Sequence, residues 1–221
     1  MYRKELAYYF STPIAYIVIG LYLLGVSLFL WVIPGQWNII DSGYAQTDGL
    51  FQLSPWLMML LCPALTMRLF AEERQSGTWE MLLVQPISMT RIVGAKFLAA
   101  WTLMLCALLP NLVHYFIVYA IAEPLGNIDG GQYAGSFIGL VFLSGTFLAI
   151  GVLAGSVTKS QIVAYILGVL ACFVLYWTLL QHFYKAVSRG VIDLTDIMVF
   201  VAISLTCLVG TVLILNKISY R

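Results

Sequence analysis

LFAEERQSGTWEMLLVQPISMTRIVGAK, residues 69–96, is a polar island in an otherwise oily chain. It carries Glu72, Glu73, Arg74, Glu80, Arg91 and Lys96, and the apolar runs on either side are long enough to cross a bilayer. A charged stretch between two spans does not lie in lipid, so it is expected in water at one membrane face, as a hairpin over residues 71–90. Arg74, Gln75, Ser76 and Gly77 read as a helix end, with Gly77 in the left-handed terminal position. Thr78 then caps a short helix with Glu80 in its first turn, and that helix stops before Pro86. Ser88 or Thr90 caps the next span. The short helix offers Trp79, Met81, Leu82 and Leu83 for burial, which in plain solvent would be costly. A solvated charged turn is the simpler alternative.

Outward from the hairpin, composition gives the class. Of 221 residues 62% are hydrophobic and 10% charged, with a mean hydropathy of +0.94; soluble domains carry roughly 25% charged residues. An all-α integral membrane protein with six transmembrane helices is expected, at 13–33, 50–70, 92–121, 133–157, 162–180 and 197–215, forming a single transmembrane domain over 1–221. Residues 1–12 read either as an interfacial amphipathic helix, with Tyr2, Leu6, Tyr9 and Phe10 on one side and Arg3, Lys4 and Glu5 on the other, or as a charged flank of the first span. Pro63 predicts a kink in the second span and Pro110–Asn111 a break in the third. The third span is longer than a bilayer requires, so it is expected to tilt or to project into water at its Arg91 and Lys96 end. The fourth contains two G-x-x-x-G units, Gly135 with Gly139 and Gly151 with Gly155, read as helix-packing positions on nearly opposite faces.

Charge sets the orientation. Arg3, Lys4, Arg68, Arg74, Arg91, Lys96, Lys159, Lys217 and Arg221 fall on the side of the termini and the hairpin, and only Lys185 and Arg189 on the other. The acids lean the opposite way. The positive-inside rule then predicts cytoplasmic termini and hairpin.

Catalytic signals are sparse, and no enzyme is expected. The expected span interiors lack Asp, Glu, Lys and Arg, which disfavours an ion-coupled carrier. His114 and His182 lack acidic or cysteine neighbours at metal spacing, and Cys62, Cys106, Cys172 and Cys207 show neither paired nor ligand spacing, so no metal site is expected. There is no phosphate-loop motif, so any ATP and Mg²⁺ belong to another subunit, and no basic stripe points to nucleic acid.

FAEERQSGTWEMLLVQPISMTRIVGAKFLAA resembles the signature of ABC-2 type transporter permeases, a type V exporter-like fold in which the stretch between spans two and three is the coupling helix. YIVIGLYLLGVSLFLWVIPG, NIIDSGYAQTDGLF, PLGNIDGGQYAGSFIGLVFL, SQIVAYILGVLACF and SRGVIDLTDI are similar to the gliding-motility-associated permease of the GldF type. The resemblance implies a permease of a bacterial inner-membrane ABC transporter. Two ABC ATPases would energise it, with a second permease that is either GldG-like, bearing a large extracytoplasmic domain, or a second copy of this chain. It also implies that Glu72, Glu73, Arg74, Gly77, Thr78, Trp79, Glu80, Leu82 and Leu83 form the ATPase-coupling region. The competing expectation is a non-transporting anchor or assembly component of a cell-surface machine.

Overall fold

The computed structural model describes residues 1–44, 47–75, 77, 88–123, 128–181, 184 and 194–219. The described chain is helical, with no strand among those residues. In order it forms α1 (Tyr2–Ser11), α2 (Pro13–Trp31), the short α3 (Ile39–Ser42), α4 (Asp48–Thr66), α5 (Arg68–Gln75), α6 (Met89–Leu108), α7 (Asn111–Ile121), α8 (Gly130–Val157), α9 (Gln161–Leu175) and α10 (Leu194–Ser219). Among the described residues six segments are long and apolar enough to cross a membrane: Pro13–Trp31, Asp48–Gln75, Met89–Ile121, Gly130–Val157, Gln161–Thr178 and Leu194–Ile218.

Helix α8 is the hub, packed by α4, α6, α9 and α10 and with the largest buried share of the six segments. Its length follows from its start. Asp129 accepts the backbone N–H groups of Gly131 (2.9 Å) and Gln132 (3.1 Å), so the helix begins at Gly130, before the Tyr133 expected from hydropathy. Small residues then let neighbours approach. A Cβ on Gly151 would run into Thr66 Oγ1 and lie 3.3 Å from Pro63 Cα, and one on Gly168 of α9 would lie 2.9 Å from Pro63 Cβ. Pro63 of α4 is thus wedged between α8 and α9. Gly155 meets the Thr66 carbonyl, while Gly135 and Gly139 are buried further along α8. Against α10 the contact is polar: Thr146 Oγ1 lies 3.2 Å from Ser204 Oγ and 3.3 Å from the Phe200 carbonyl.

The break expected at Pro110–Asn111 is present, the last helix begins earlier than the sequence reading placed it, and the fifth span carries a turn the sequence did not signal. The third span is two helices, α6 and α7, separated at Leu109 and Pro110. Proline lacks an N–H, and the turn is closed by Leu112 and Val113 donating to the Leu109 and Pro110 carbonyls. Asn111 at the break is fully buried, donates from Nδ2 to Tyr22 Oη (3.0 Å) and accepts Tyr133 Oη on its carbonyl (2.9 Å). The last helix starts at Leu194, so Asp196 lies buried in its first turn, where the helix dipole favours an acid. The fifth span ends in a π-helical turn, Tyr176–Leu180, that hydropathy does not signal.

The glycine contacts yield a direct expectation. Gly151→Ala should lower the thermal stability of the detergent-solubilised protein by about 1–3 kcal/mol, since the methyl group meets α4 backbone and a buried threonine. Gly94→Ala, which meets nothing within 4 Å, should leave the unfolding temperature unchanged or slightly raised.

Candidate functional site

The residues of the polar island that the structure describes converge on one lysine. Lys96, on the second turn of α6, is only 2% exposed. Of the two alternatives for this long span, projection at its Arg91 and Lys96 end fits exposed Arg91 and not Lys96. The Lys96 ammonium donates to Glu73 Oε1 of α5 at 2.6 Å and lies 3.5 Å from Glu5 Oε1 of α1. It also stands 5.6 Å from the ring centroid of Phe70, one helical turn before Glu73. A buried ammonium is tolerated only with such charge-assisted partners, because the desolvation cost of an unpaired cation is several kcal/mol.

Helix α1 is therefore a structural part of the bundle, and Glu5, assigned by the amphipathic reading to the polar side, points to Lys96. Along the same interface Tyr2 Oη meets Thr102 Oγ1 of α6 at 2.9 Å, and Tyr9, 5% exposed, donates from its hydroxyl to the Leu65 carbonyl of α4 at 3.3 Å. Burial first, and the Glu5 carboxylate second, push the Tyr9 phenol far above its ordinary pKa, so it stays a hydrogen-bond donor across the physiological range.

Arg74, next to Glu73, reaches the opposite way. Its Nη1 donates to the Ser156 carbonyl at 2.8 Å. Ser156 lies in the last turn of α8, where carbonyls lack helical partners and cations are favoured. Helix α5 is thus pinned on two sides, by Glu73 to Lys96 of α6, which also holds Glu5 of α1, and by Arg74 to α8. The geometry gives Glu73 and Arg74 partners inside the chain, whereas Glu72 has no such bond among the described residues. Gly77 follows at φ +74°, in the left-handed region where a side chain would be strained. Thr78, Trp79, Glu80, Leu82 and Leu83 lie outside the described residues.

Sequence reading missed the junction as a unit. Its three charges are on segments far apart in the chain, and no periodicity links them; the detectable signal was Lys96 itself, a cation one turn inside an apolar run. His114 lies elsewhere, between α7 and α2, accepting Trp31 Nε1 on Nδ1 at 3.0 Å, with Ser27 Oγ 3.5 Å from Nε2. Among the described residues no group of His, Cys, Asp and Glu assembles as metal ligands.

The junction predicts an asymmetry between two basic residues. Lys96→Met should cost about 3 kcal/mol in thermal unfolding of the purified protein, because two carboxylates lose the cation between them. Arg91→Met, at an exposed position of α6, should change stability by less than about 0.5 kcal/mol.

Comparison with known proteins adds one positive finding. The family described as ABC-2 family transporter protein matches residues 38–203, well over half of the chain and spanning the second to fifth membrane segments in full. No curated protein matches the chain.

Proposed function

This chain belongs to the ABC-2 family of transporter proteins, and from that premise we propose that it is the GldF-like permease of a bacterial ABC exporter acting at the cell envelope. The family makes it a multi-pass, non-catalytic membrane subunit of a transporter that pairs with an ABC ATPase. The observation that carries the mechanism is the double pinning of α5. A segment fixed through Glu73 to Lys96 of α6, which also holds α1, and through Arg74 to α8 passes a push on the hairpin to most of the bundle at once. The hairpin at 71–90 is the coupling element, with Glu72, Thr78, Trp79, Glu80, Leu82 and Leu83 facing the ATPase. Apolar anchors there supply the buried contact and the charges fix its register. Glu73 and Arg74 transmit the motion.

ATP and Mg²⁺ are held by two ATPase subunits. The excess of Lys and Arg on the side of the hairpin supports an inner-membrane orientation with that face and both termini in the cytoplasm. A second permease, GldG-like or another copy, completes the membrane unit. The large apolar faces left uncovered on α2, α9 and α10 accord with lipid and a partner subunit, as with Leu205, Val209 and Leu213, spaced four apart and all more than half exposed. Gliding-related or other envelope transport is the role this assembly serves.

Pull-down from solubilised membranes tests the reading. The native chain should bring down a vanadate-sensitive ATPase, and Leu82→Glu with Leu83→Glu should reduce the recovered activity by at least about tenfold. Recovery of no ATPase with the native chain would instead favour a non-transporting anchor of a surface machine.

A further inference from the structure

At the end of the bundle opposite Lys96, where α4 and α8 begin, the chain holds an open cavity of about 420 Å³. That volume lies in the range of small-molecule sites. Its walls come from separate pieces of chain: Trp37 from the loop before α3, Asp48, Gln52 and Trp56 from successive turns of α4, Gln132 from the first turn of α8, and Tyr176 from the π-helical turn. Such turns interrupt a helix at a cost and are frequent at functional sites.

The walls are held in place. A Cβ at Gly49 would lie 2.6 Å from the Trp37 carbonyl oxygen, so glycine there lets the loop close onto α4. Trp37 Nε1 donates to Gln52 Oε1 at 3.3 Å, and Gln132 Nε2 to Asp48 Oδ1 at 3.0 Å. Trp56 and Tyr176 meet edge to face with centroids 6.3 Å apart, and Tyr184, also in the lining, donates to the Phe51 carbonyl at 2.9 Å. These bonds leave the Gln52 amide nitrogen, the second Asp48 oxygen and the carboxamides of Gln36 and Gln181 without hydrogen-bond partners among the described residues.

The lining selects its ligand. Among the described residues it contains no Lys or Arg and one carboxylate, which opposes phosphate and other anions. A plain acyl chain would leave amides and a carboxylate unpaired as it displaced water. A quaternary ammonium would suit Asp48 and the ring faces but would use none of the glutamine amides. A sugar ring uses both halves of the lining, because its C–H face packs on indole and phenol rings while its hydroxyls both donate and accept. We propose that this cavity binds a neutral pyranose ring, carried either by a lipid-linked glycan or by a free oligosaccharide. Hydroxyls meet Gln36, Asp48, Gln52 and Gln181, and Trp37 and Trp56 supply the apolar faces. That the ring belongs to the transported cargo rests on the permease reading; its binding does not.

The test uses the chain alone in phosphatidylethanolamine nanodiscs, with no ATPase present, so that failure here is separate from failure of ATPase pairing. Tryptophan fluorescence is followed during titration with cellobiose and with N,N′-diacetylchitobiose, and in a second arm across nanodiscs with rising glucosyl-diacylglycerol. A saturable change in either arm is expected, and the arm that responds identifies a free or a lipid-linked ligand. Gln52→Ala and Asp48→Asn should each weaken the half-saturation point about tenfold with unaltered thermal unfolding, while Leu213→Ala, on the far face of α10, binds as the native chain does. No saturable response to any sugar probe up to high millimolar levels, saturation by phosphocholine alone, or undiminished binding by both cavity variants would overturn the proposal.

Discussion

The arrangement depends on one buried cation. Lys96 stands at the meeting point of α1, α5 and α6, with Glu73 at 2.6 Å and Glu5 at 3.5 Å. The ammonium attracts both carboxylates across helix boundaries, so the three helices hold each other in register. Removing the lysine leaves two carboxylates without their cation. The ionic contact therefore acts as a geometric constraint, fixing where α5 sits against α1 and α6.

Around that constraint the bundle is assembled by close packing about α8. Glycines at 151 and 168 admit Pro63, and the Thr146 hydroxyl meets α10, so α4, α9 and α10 are each fitted to neighbours by small or polar groups. Within a membrane, where lipid is as apolar as leucine, such fits and hydrogen bonds distinguish one helix pairing from another. Arg74 joins the two systems by holding α5 to the last turn of α8. The pinned hairpin base lies at one end of the bundle, and the aromatic and amide-lined cavity at the other, with α4 and α8 running between them.

The six apolar runs were legible because membrane thickness imposes length and composition on each span separately. Lys96 was legible as a residue but not as a junction: water and a buried carboxylate are equally good hosts for a lysine in a string of letters, and Glu5 and Glu73 lie in other segments. Pro110 announced a break, yet only the fold shows Asn111 beside it filling the gap with bonds to Tyr22 and Tyr133. Gly151 carried a motif, whereas Gly168 stood alone and its contact with Pro63 had no signature. The cavity was the least legible feature, since its glutamines and aromatics come from four stretches with no common spacing, and a π-helical turn has no hydropathy period of its own. The coupling role of Thr78, Trp79, Glu80, Leu82 and Leu83 rests on sequence resemblance.

For an ABC-2 family membrane subunit, the consequence is that α1, α5 and α6 form one joint at this end of the bundle. The most direct measurement of that claim is hydrogen–deuterium exchange of residues 2–11 and 68–75 in the native chain and in Lys96→Met. The account predicts that both segments lose protection together, because α1 and α5 are held by the same ammonium. Unchanged protection in both segments, or loss in one with the other intact, would contradict it.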